Sequence, residues 1–172
     1  MISLRMVPLI LLSLIFVGCA KPAGENTART PAPNLEAQDA EGRTPLHLAV
    51  EQRENDRARQ LIDQGARVDA RTKSGVTPLM NAAGTGNVEL VKLLIGKGAD
   101  VNAKTDGGYT ALMSAALNGQ MESVKALLEA NADPTMKDIA GKTATDYAKD
   151  HKHDDIVQLL NQASAARAGG NK

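Results

Sequence analysis

A period of 33 residues runs through most of this chain of 172 residues. Aligned with itself at that spacing, the sequence yields four copies that begin near residues 39, 72, 105 and 138. The recurring positions are Gly42, Gly75, Gly108 and Gly141; Thr44, Thr77, Thr110 and Thr143; Ala49, Ala82, Ala115 and Ala148; and Leu61, Leu94, Leu127 and Leu160. A unit this short cannot bury a core alone, so the period predicts a row of similar units stacked side by side.

Helix signals recur inside the copies. In the second copy, Thr77 precedes Pro78, and a threonine hydroxyl accepts a hydrogen bond from the first turn while proline suits the first helical position. Gly86 follows nine residues later and predicts the end of that helix. Residues 88–95 then show the apolar spacing of a second helix. The sequence therefore predicts two helices per copy and an all-α fold.

Some copies replace a helix-ending glycine with another residue. Arg53 and Lys152 stand where the inner copies have Gly86 and Gly119. Asn131 stands at the end of the second helix of the third copy, and asparagine is the next-best residue after glycine for a left-handed cap. The first and last copies are also more polar, as expected for the exposed ends of a stack.

The segments GRTPLHLA from Gly42, GVTPLMNAA from Gly75 and GADVNA from Gly98 resemble the ankyrin repeat, whose period and TPLH signature they share. The resemblance covers residues 39 to about 163. It implies a solenoid of four helix-turn-helix repeats with β-turn tips, at residues 39–71, 72–104, 105–137 and 138–163. It also implies that His47 hydrogen-bonds within and between turns. Residues 164–172, rich in alanine and glycine, are predicted to form a disordered tail.

The first 18 residues have the pattern of an export signal. Arg5 precedes the apolar run 7–17, which is too short for a comfortable membrane span. Residues 16–19 (FVGC) resemble the bacterial lipobox, which implies cleavage before Cys19 and lipid attachment to its sulfur. Phe16 stands where that motif usually has leucine. The alternative is a general secretory signal followed by an unrelated cysteine.

A lipidated Cys19 would hold the chain on a membrane surface. By resemblance to lipoprotein sorting, Ala20 after the cysteine favours the outer membrane of a Gram-negative cell. Residues 19–38 are rich in proline, alanine and polar residues and are predicted to be a flexible tether. The sequence thus predicts a periplasmic, lipid-anchored protein.

Several function classes are disfavoured. The chain has 20 basic and 20 acidic residues, so no global field attracts nucleic acid. No nucleophile elbow, HExxH motif or P-loop is present, so no catalytic residue, metal or cofactor is predicted. His151 and His153, with Asp154 and Asp155, would serve a metal-dependent hydrolase, the enzyme alternative. Histidines two residues apart on a helix point to different faces, so a solvated cap is favoured.

The ankyrin resemblance implies a protein-binding surface made of the turn tips and the exposed face of the first helix in each repeat. The tip residues are Arg43, Lys73, Ser74, Val76, Asp106, Tyr109 and Lys142, and the helix residues are Glu51, Gln52, Thr85, Leu117 and Asn118. Val76, Tyr109 and Leu117 would form an apolar centre within a charged rim. Tyr109 is expected to contribute most, since tyrosine is enriched at binding hot spots. The alternative is that Tyr109 packs on its neighbouring turn.

Together these features predict a membrane-tethered binding module that is monomeric when unbound. Its expected partner is another protein, such as a secreted or periplasmic enzyme. By analogy with immunity-type proteins, the sharpest form of the hypothesis is inhibition of, or protection against, a cell-wall peptidase. Support of an envelope enzyme such as a catalase, and a purely structural envelope role, are the alternatives, and the sequence does not separate them.

Overall fold

The computed structural model describes residues 34–169. This part of the chain contains eight α-helices and no β-strand, which confirms the all-α prediction. In chain order they are α1 Pro45–Glu51, α2 Asn55–Asp63, α3 Pro78–Gly84, α4 Val88–Gly96, α5 Ala111–Leu117, α6 Met121–Glu129, α7 Ala144–Asp150 and α8 Asp154–Gly169. The predicted signal segment, Cys19 and the tether up to residue 33 lie outside the described residues.

The helices form two layers. The short helices α1, α3, α5 and α7 contact one another in sequence order and make the inner layer. The helices α2, α4, α6 and α8 do the same in the outer layer, and each pairs with the inner helix before it. Four helix pairs therefore stack as the 33-residue period requires.

Every inner helix begins at a recurring threonine in extended backbone conformation. The hydroxyls of Thr77 and Thr110 accept hydrogen bonds from the amides of Met80 and Met113, at 3.4 and 3.3 Å. In the first repeat the amide of Thr44 donates to Nδ1 of the His47 side chain at 3.2 Å, as the Thr143 amide does to the Asp146 carboxylate at 2.9 Å. These bonds confirm the predicted helix starts.

The core is built from leucine and alanine. The recurring Ala49, Ala82, Ala115 and Ala148 are at most 1% exposed. Their small side chains allow the inner helices to approach closely, and the leucines of the outer helices fill the space between layers. The core consequently runs the length of the stack.

The turn tips are tied together by a ladder of backbone hydrogen bonds. Each tip is a β-turn closed by a glycine amide, as in the bond from Gly75 to the Thr72 carbonyl at 2.9 Å. Between tips, the amides of Lys73, Asp106 and Ile139 donate to the carbonyls of Glu41, Ser74 and Gly107 at 3.0, 3.1 and 3.0 Å. The predicted β-turn tips are confirmed.

A second ladder joins the loops that follow the outer helices. The amides of Arg67, Asp100 and Asp133 donate to side-chain oxygens of Glu36, Asp69 and Asn102, at 3.0, 3.0 and 2.8 Å. Glu36 thus accepts a hydrogen bond from the first repeat, as Asp69 and Asn102 do from the second and third.

Residues 34–38 therefore belong to the folded array, and the prediction of a flexible tether is wrong for them. Leu35 packs against the core. The Glu36 carboxylate binds both the amide and Nε of Arg67, the latter at 2.8 Å. These contacts explain why the chain is already ordered before residue 39.

The prediction of a disordered tail is wrong for residues 164–169, which continue α8. Alanine favours helix, and Ser164 Oγ donates to the Leu160 carbonyl at 2.8 Å. The Arg167 side chain reaches back to Asp133 at 3.0 Å and to the Asn131 carbonyl at 3.1 Å. Residues 170–172 lie outside the described part of the chain.

The replaced glycines keep their left-handed backbone. Arg53 and Lys152 have φ angles of 59° and 60°, against 69° at the aligned Gly86 and Gly119. Asn131 has a φ of 66°, against 97° and 89° at the aligned Gly65 and Gly98. The geometry predicted from the alignment is therefore present even where a side chain makes it costly.

Candidate protein-binding surface

The tips and the exposed sides of the inner helices lie on the same side of each repeat and are called the front surface. It comprises the tips at residues 39–43, 72–76, 105–109 and 138–142, together with the exposed residues of α1, α3, α5 and α7. The second ladder and the outer helices lie away from it. All twelve residues predicted to bind a partner either lie on this surface or directly follow an inner helix.

In the first repeat, the charges of the front surface bind one another. Arg43 contacts Asp39 at 2.7 Å, Glu41 at 3.3 Å and Glu51 at 3.2 Å. Asn81 of the next repeat donates to Glu51 at 2.9 Å. Desolvation acts to raise the pKa of Asp39, but hydrogen bonds from the backbone and side chain of Arg43 lower it overall. Because these side chains already bind one another, few of their polar groups are available to a ligand.

The second repeat presents polar tip residues. Lys73 and Ser74 are exposed, whereas Val76 is half-buried against the core and its carbonyl lies 3.1 Å from Nε2 of His47. The hydroxyl of Thr85 donates to the Asn81 carbonyl at 3.0 Å. A shallow depression of about 320 Å³ opens beside Thr85 and continues to Asn118.

The third and fourth repeats meet through two tyrosines. The rings of Tyr109 and Tyr147 pack edge to face, with centroids 5.3 Å apart and planes at 86°. The Tyr147 hydroxyl donates to Asp138 at 2.6 Å. Lys142 Nζ lies 5.5 Å from the Tyr147 centroid and 2.8 Å from Asp150. This aromatic pair makes the fourth repeat part of the site.

The Tyr109 hydroxyl is buried and has no hydrogen-bond partner among the described residues. Desolvation, with smaller contributions from Tyr147 and Asp138, raises the pKa of Tyr109 to about 12. The side chain is half-buried and packs against the core. The packing that was the alternative interpretation of Tyr109 is therefore present, and only part of its ring faces solvent.

The model of the family described as "Ankyrin repeats (3 copies)" matches residues 11–105, 57–138 and 103–168. The chain belongs to the ankyrin-repeat family. Ankyrin repeats generally mediate binding between proteins, and proteins built from them are typically binding modules without enzymatic activity. No curated protein matches the chain. The eight described helices are those of an ankyrin-repeat solenoid.

The remaining predicted residues of the ankyrin array differ in exposure. Gln52, Asp106 and Asn118 are exposed, and the Asp106 side chain retains 70% of its accessible surface. Leu117 is half-buried and lies outside the apolar cluster of the core. Asn118 Nδ2 donates to the Ser114 carbonyl at 2.8 Å, which fixes its side chain beside the depression.

Two residues of the front surface were missed by the sequence analysis. Ile139 is 85% exposed and is the one large apolar side chain so exposed in residues 34–169. It aligns with Lys73 and Asp106, so an apolar residue at a polar tip position was the available signal. Tyr147 aligns with Asn81 and Ser114 on the exposed side of the inner helices, and its aromatic character was the corresponding signal.

The histidines of the fourth repeat have structural surroundings. His153 Nε2 lies 3.2 Å from the Leu117 carbonyl. The ring of His151 stacks on the ring of His153, with centroids 6.3 Å apart. Within the described ranges, no group of three or more His, Cys, Asp or Glu side chains is placed to hold a metal ion. No helix of residues 34–169 is both long enough and apolar enough to span a membrane.

Proposed function

We propose that this ankyrin array is an exported, membrane-tethered binding module that holds a secreted or periplasmic enzyme and thereby inhibits it or protects the cell from it. One observation supports this proposal above others. The front surface presents Ile139 at 85% exposure, and elsewhere the partly exposed Leu117, beside ordered charged groups. Apolar side chains held in water by a rigid scaffold, with a polar rim, are typical of protein interfaces.

The scaffold is suited to rigid recognition. The tip ladder fixes the backbone of all four tips, and hydrogen bonds orient Asn118 and Tyr147. Ordered side chains lose little entropy on binding, which favours affinity from a small contact area. The output of such a surface is occlusion of whatever it covers, which agrees with an inhibitory or protective role.

The location of the module is part of the proposal. Cys19 would carry the lipid and Ala20 would direct the protein to the outer membrane. Replacing Cys19 by serine should abolish palmitate incorporation and move the protein from the detergent phase to the soluble periplasmic fraction. If wild type and Cys19→Ser fractionate alike, the anchor is wrong, whatever the array binds.

The binding function is tested by crosslinking and purification from envelope fractions. A front variant, Lys73→Glu with Leu117→Ser and Ile139→Ser, is compared with wild type. The control is Lys92→Ala with Glu129→Ala, two exposed positions of the outer helices. We expect one enzyme to co-purify with wild type and control and to be lost from the front variant. Equal capture by all three proteins would rule out the front surface.

The activity of the captured enzyme then separates the two roles. Under the proposal, adding the purified chain lowers the enzyme's turnover, and the front variant does not. Unchanged or improved activity would instead favour a supporting role, as for an envelope catalase. A stable complex is required in both cases, so this assay follows the purification.

A further inference from the structure

The depression of about 320 Å³ on the front surface is centred on Gly84, the last residue of α3. The aligned positions of the other repeats carry larger side chains, those of Glu51, Leu117 and Asp150. A Cβ at Gly84 would overlap Oγ of Ser114, across the junction with the next repeat. The depression therefore exists because one side chain is missing from a row that is otherwise filled.

The two asparagines that line this depression have fixed orientations. Nδ2 of Asn81 donates to the Glu51 carboxylate at 2.9 Å, and Nδ2 of Asn118 donates to the Ser114 carbonyl at 2.8 Å. A carboxylate and a carbonyl only accept hydrogen bonds, so the atoms placed against them must be the amide nitrogens. Each asparagine therefore offers a ligand its Oδ1 as an acceptor and the second hydrogen of its Nδ2 as a donor.

The charges beside the depression oppose a charged ligand of either sign. Glu51 is the one charged side chain in its lining and repels an anion. Two guanidinium groups are bonded to lining residues and repel a cation: Arg43 contacts Glu51 at 3.2 Å, and Nη1 of Arg53 donates to the Thr85 carbonyl at 3.2 Å. A neutral group that both donates and accepts hydrogen bonds is therefore the best match.

We propose that this depression receives the carboxamide of a glutamine or asparagine side chain of the protein partner. The inference rests on the proposed binding function and specifies one chemical group of that partner. A primary amide has two N–H donors and one carbonyl acceptor, which match the Oδ1 and the remaining hydrogen of Asn81 or Asn118. The Thr85 hydroxyl donates to the Asn81 carbonyl at 3.0 Å, so its oxygen accepts from the ligand. An apolar side chain would leave all these groups unpaired once water is excluded.

The test uses the full chain and a library of random dodecapeptides displayed on phage, selected in parallel on wild type, Gly84→Ala and Gly96→Ala. Gly84 and Gly96 are the last residues of α3 and α4, and both lie outside the left-handed φ region. A Cβ at Gly96 meets no atom within 4 Å. Alanine favours a helical position over glycine, so both variants should fold, and only Gly84→Ala fills the depression.

We expect the peptides selected by wild type and by Gly96→Ala to share a glutamine or asparagine, and those selected by Gly84→Ala to lack it. A synthetic peptide of the enriched sequence is then titrated against the three proteins. Replacing its shared residue by methionine, glutamate or lysine should weaken binding to wild type at least about tenfold in each case. The unchanged peptide should bind Gly84→Ala at least about tenfold more weakly than wild type, and Gly96→Ala within about twofold of wild type.

The outcomes separate this inference from the proposed function. A shared charged or apolar residue in place of the amide, equal binding to wild type and Gly84→Ala, or no enriched peptide overturns the inference. Envelope purification with Gly84→Ala tests the two together: if this variant still captures the enzyme as wild type does, the function stands and the inference falls. Thermal unfolding checks that both glycine variants retain the folded state, and the peptide substitutions are measured on wild type and do not depend on it.

Discussion

Two tyrosines that touch each other have opposite hydrogen-bonding states. Tyr147 donates to a carboxylate at 2.6 Å, whereas the Tyr109 hydroxyl is buried without a partner. A buried polar group left unpaired costs free energy that an apolar group of the same shape does not. The same chemical change, loss of the hydroxyl, should therefore have opposite effects at the two positions.

Tyr109→Phe should raise the free energy of unfolding, by up to about 1 kcal/mol, because it removes an unpaired hydroxyl from the core. Tyr147→Phe should lower it by about 1 kcal/mol, because the bond to Asp138 is lost. Urea denaturation followed by circular dichroism measures both. A decrease of similar size in both variants would mean that the Tyr109 hydroxyl has a partner.

Lys152 is a second residue whose backbone predicts the effect of a substitution. Its φ of 60° is left-handed, so Lys152→Gly should stabilise the array by about 0.5–1 kcal/mol. Gly119→Ala is the matched control: a Cβ there would lie 2.7 Å from the His153 ring, and the residue has φ of 69°. That variant should be destabilised, and a melting temperature that moves the same way in both would contradict the argument.

At the scale of elements, His47 links the first repeat to the second. Nδ1 accepts from the Thr44 amide, so Nε2 carries the proton and donates to the Val76 carbonyl at 3.1 Å. Protonating Nδ1 would place two hydrogens against each other. Desolvation by burial lowers the pKa of His47, against the raising effect of the Val76 bond. The bond from Thr44 therefore requires the neutral ring, whereas the bond to Val76 can form in either protonation state.

The burial of a neutral His47 ring predicts a dependence of stability on pH. The folded chain keeps His47 neutral, while the unfolded chain takes up a proton below the ordinary histidine pKa of about 6.5. The free energy of unfolding should therefore fall as the pH drops from about 6.5 towards the lowered pKa of His47 in the folded chain. Urea midpoints at pH 7.5 and pH 5 measure the loss. His47→Met is the control, since Met80 and Met113 occupy the aligned positions. An equal loss in that variant would assign the effect to other groups.

The helices were predictable because their signals are local. A threonine before a helix and a glycine or asparagine after it act within a few residues, whatever the rest of the chain does. The extension of α8 combines a local signal, the helix propensity of its alanines, with the ion pair from Arg167 to Asp133, a contact between distant residues that no local signal carries. Residues 34–38 do carry a signal, since Leu35 and Glu36 align with Val68 and Asp69 one period later, although the predicted first copy begins at residue 39.

The same distinction applies to the site. The resemblance to ankyrin repeats predicts which surface binds, and the alignment of the copies predicts which residues lie on it. Neither predicts the exposure and the bonding of each side chain, because these depend on neighbours from the next repeat. Tyr109 is covered by Tyr147, and Arg43 is neutralised by its own repeat. Ile139 was overlooked because the fourth repeat was interpreted as a polar cap.

At the scale of the whole molecule, stability should be transmitted only between neighbouring repeats. Leu35→Ser with Glu36→Ala removes the N-terminal end of the second ladder and should cost about 1–2 kcal/mol. Hydrogen exchange should show a faster Arg67 amide while the Asp133 amide, bonded to Asn102 at 2.8 Å, keeps its protection. Gln38→Ala, at an exposed position, is the control. A uniform loss of protection would show that the array unfolds as one unit.

In the tip ladder, a main-chain amide donates to a main-chain carbonyl at each junction between the four repeats. If residues 72–104 were duplicated and inserted in register, the new repeat would therefore meet a main-chain donor or acceptor on each neighbouring tip. The number of repeats is a quantity that gene duplication can change without redesigning a junction, while Ile139 and Arg43 would move one repeat further apart. The length of the array and the side chains that contact a partner can therefore change independently during evolution.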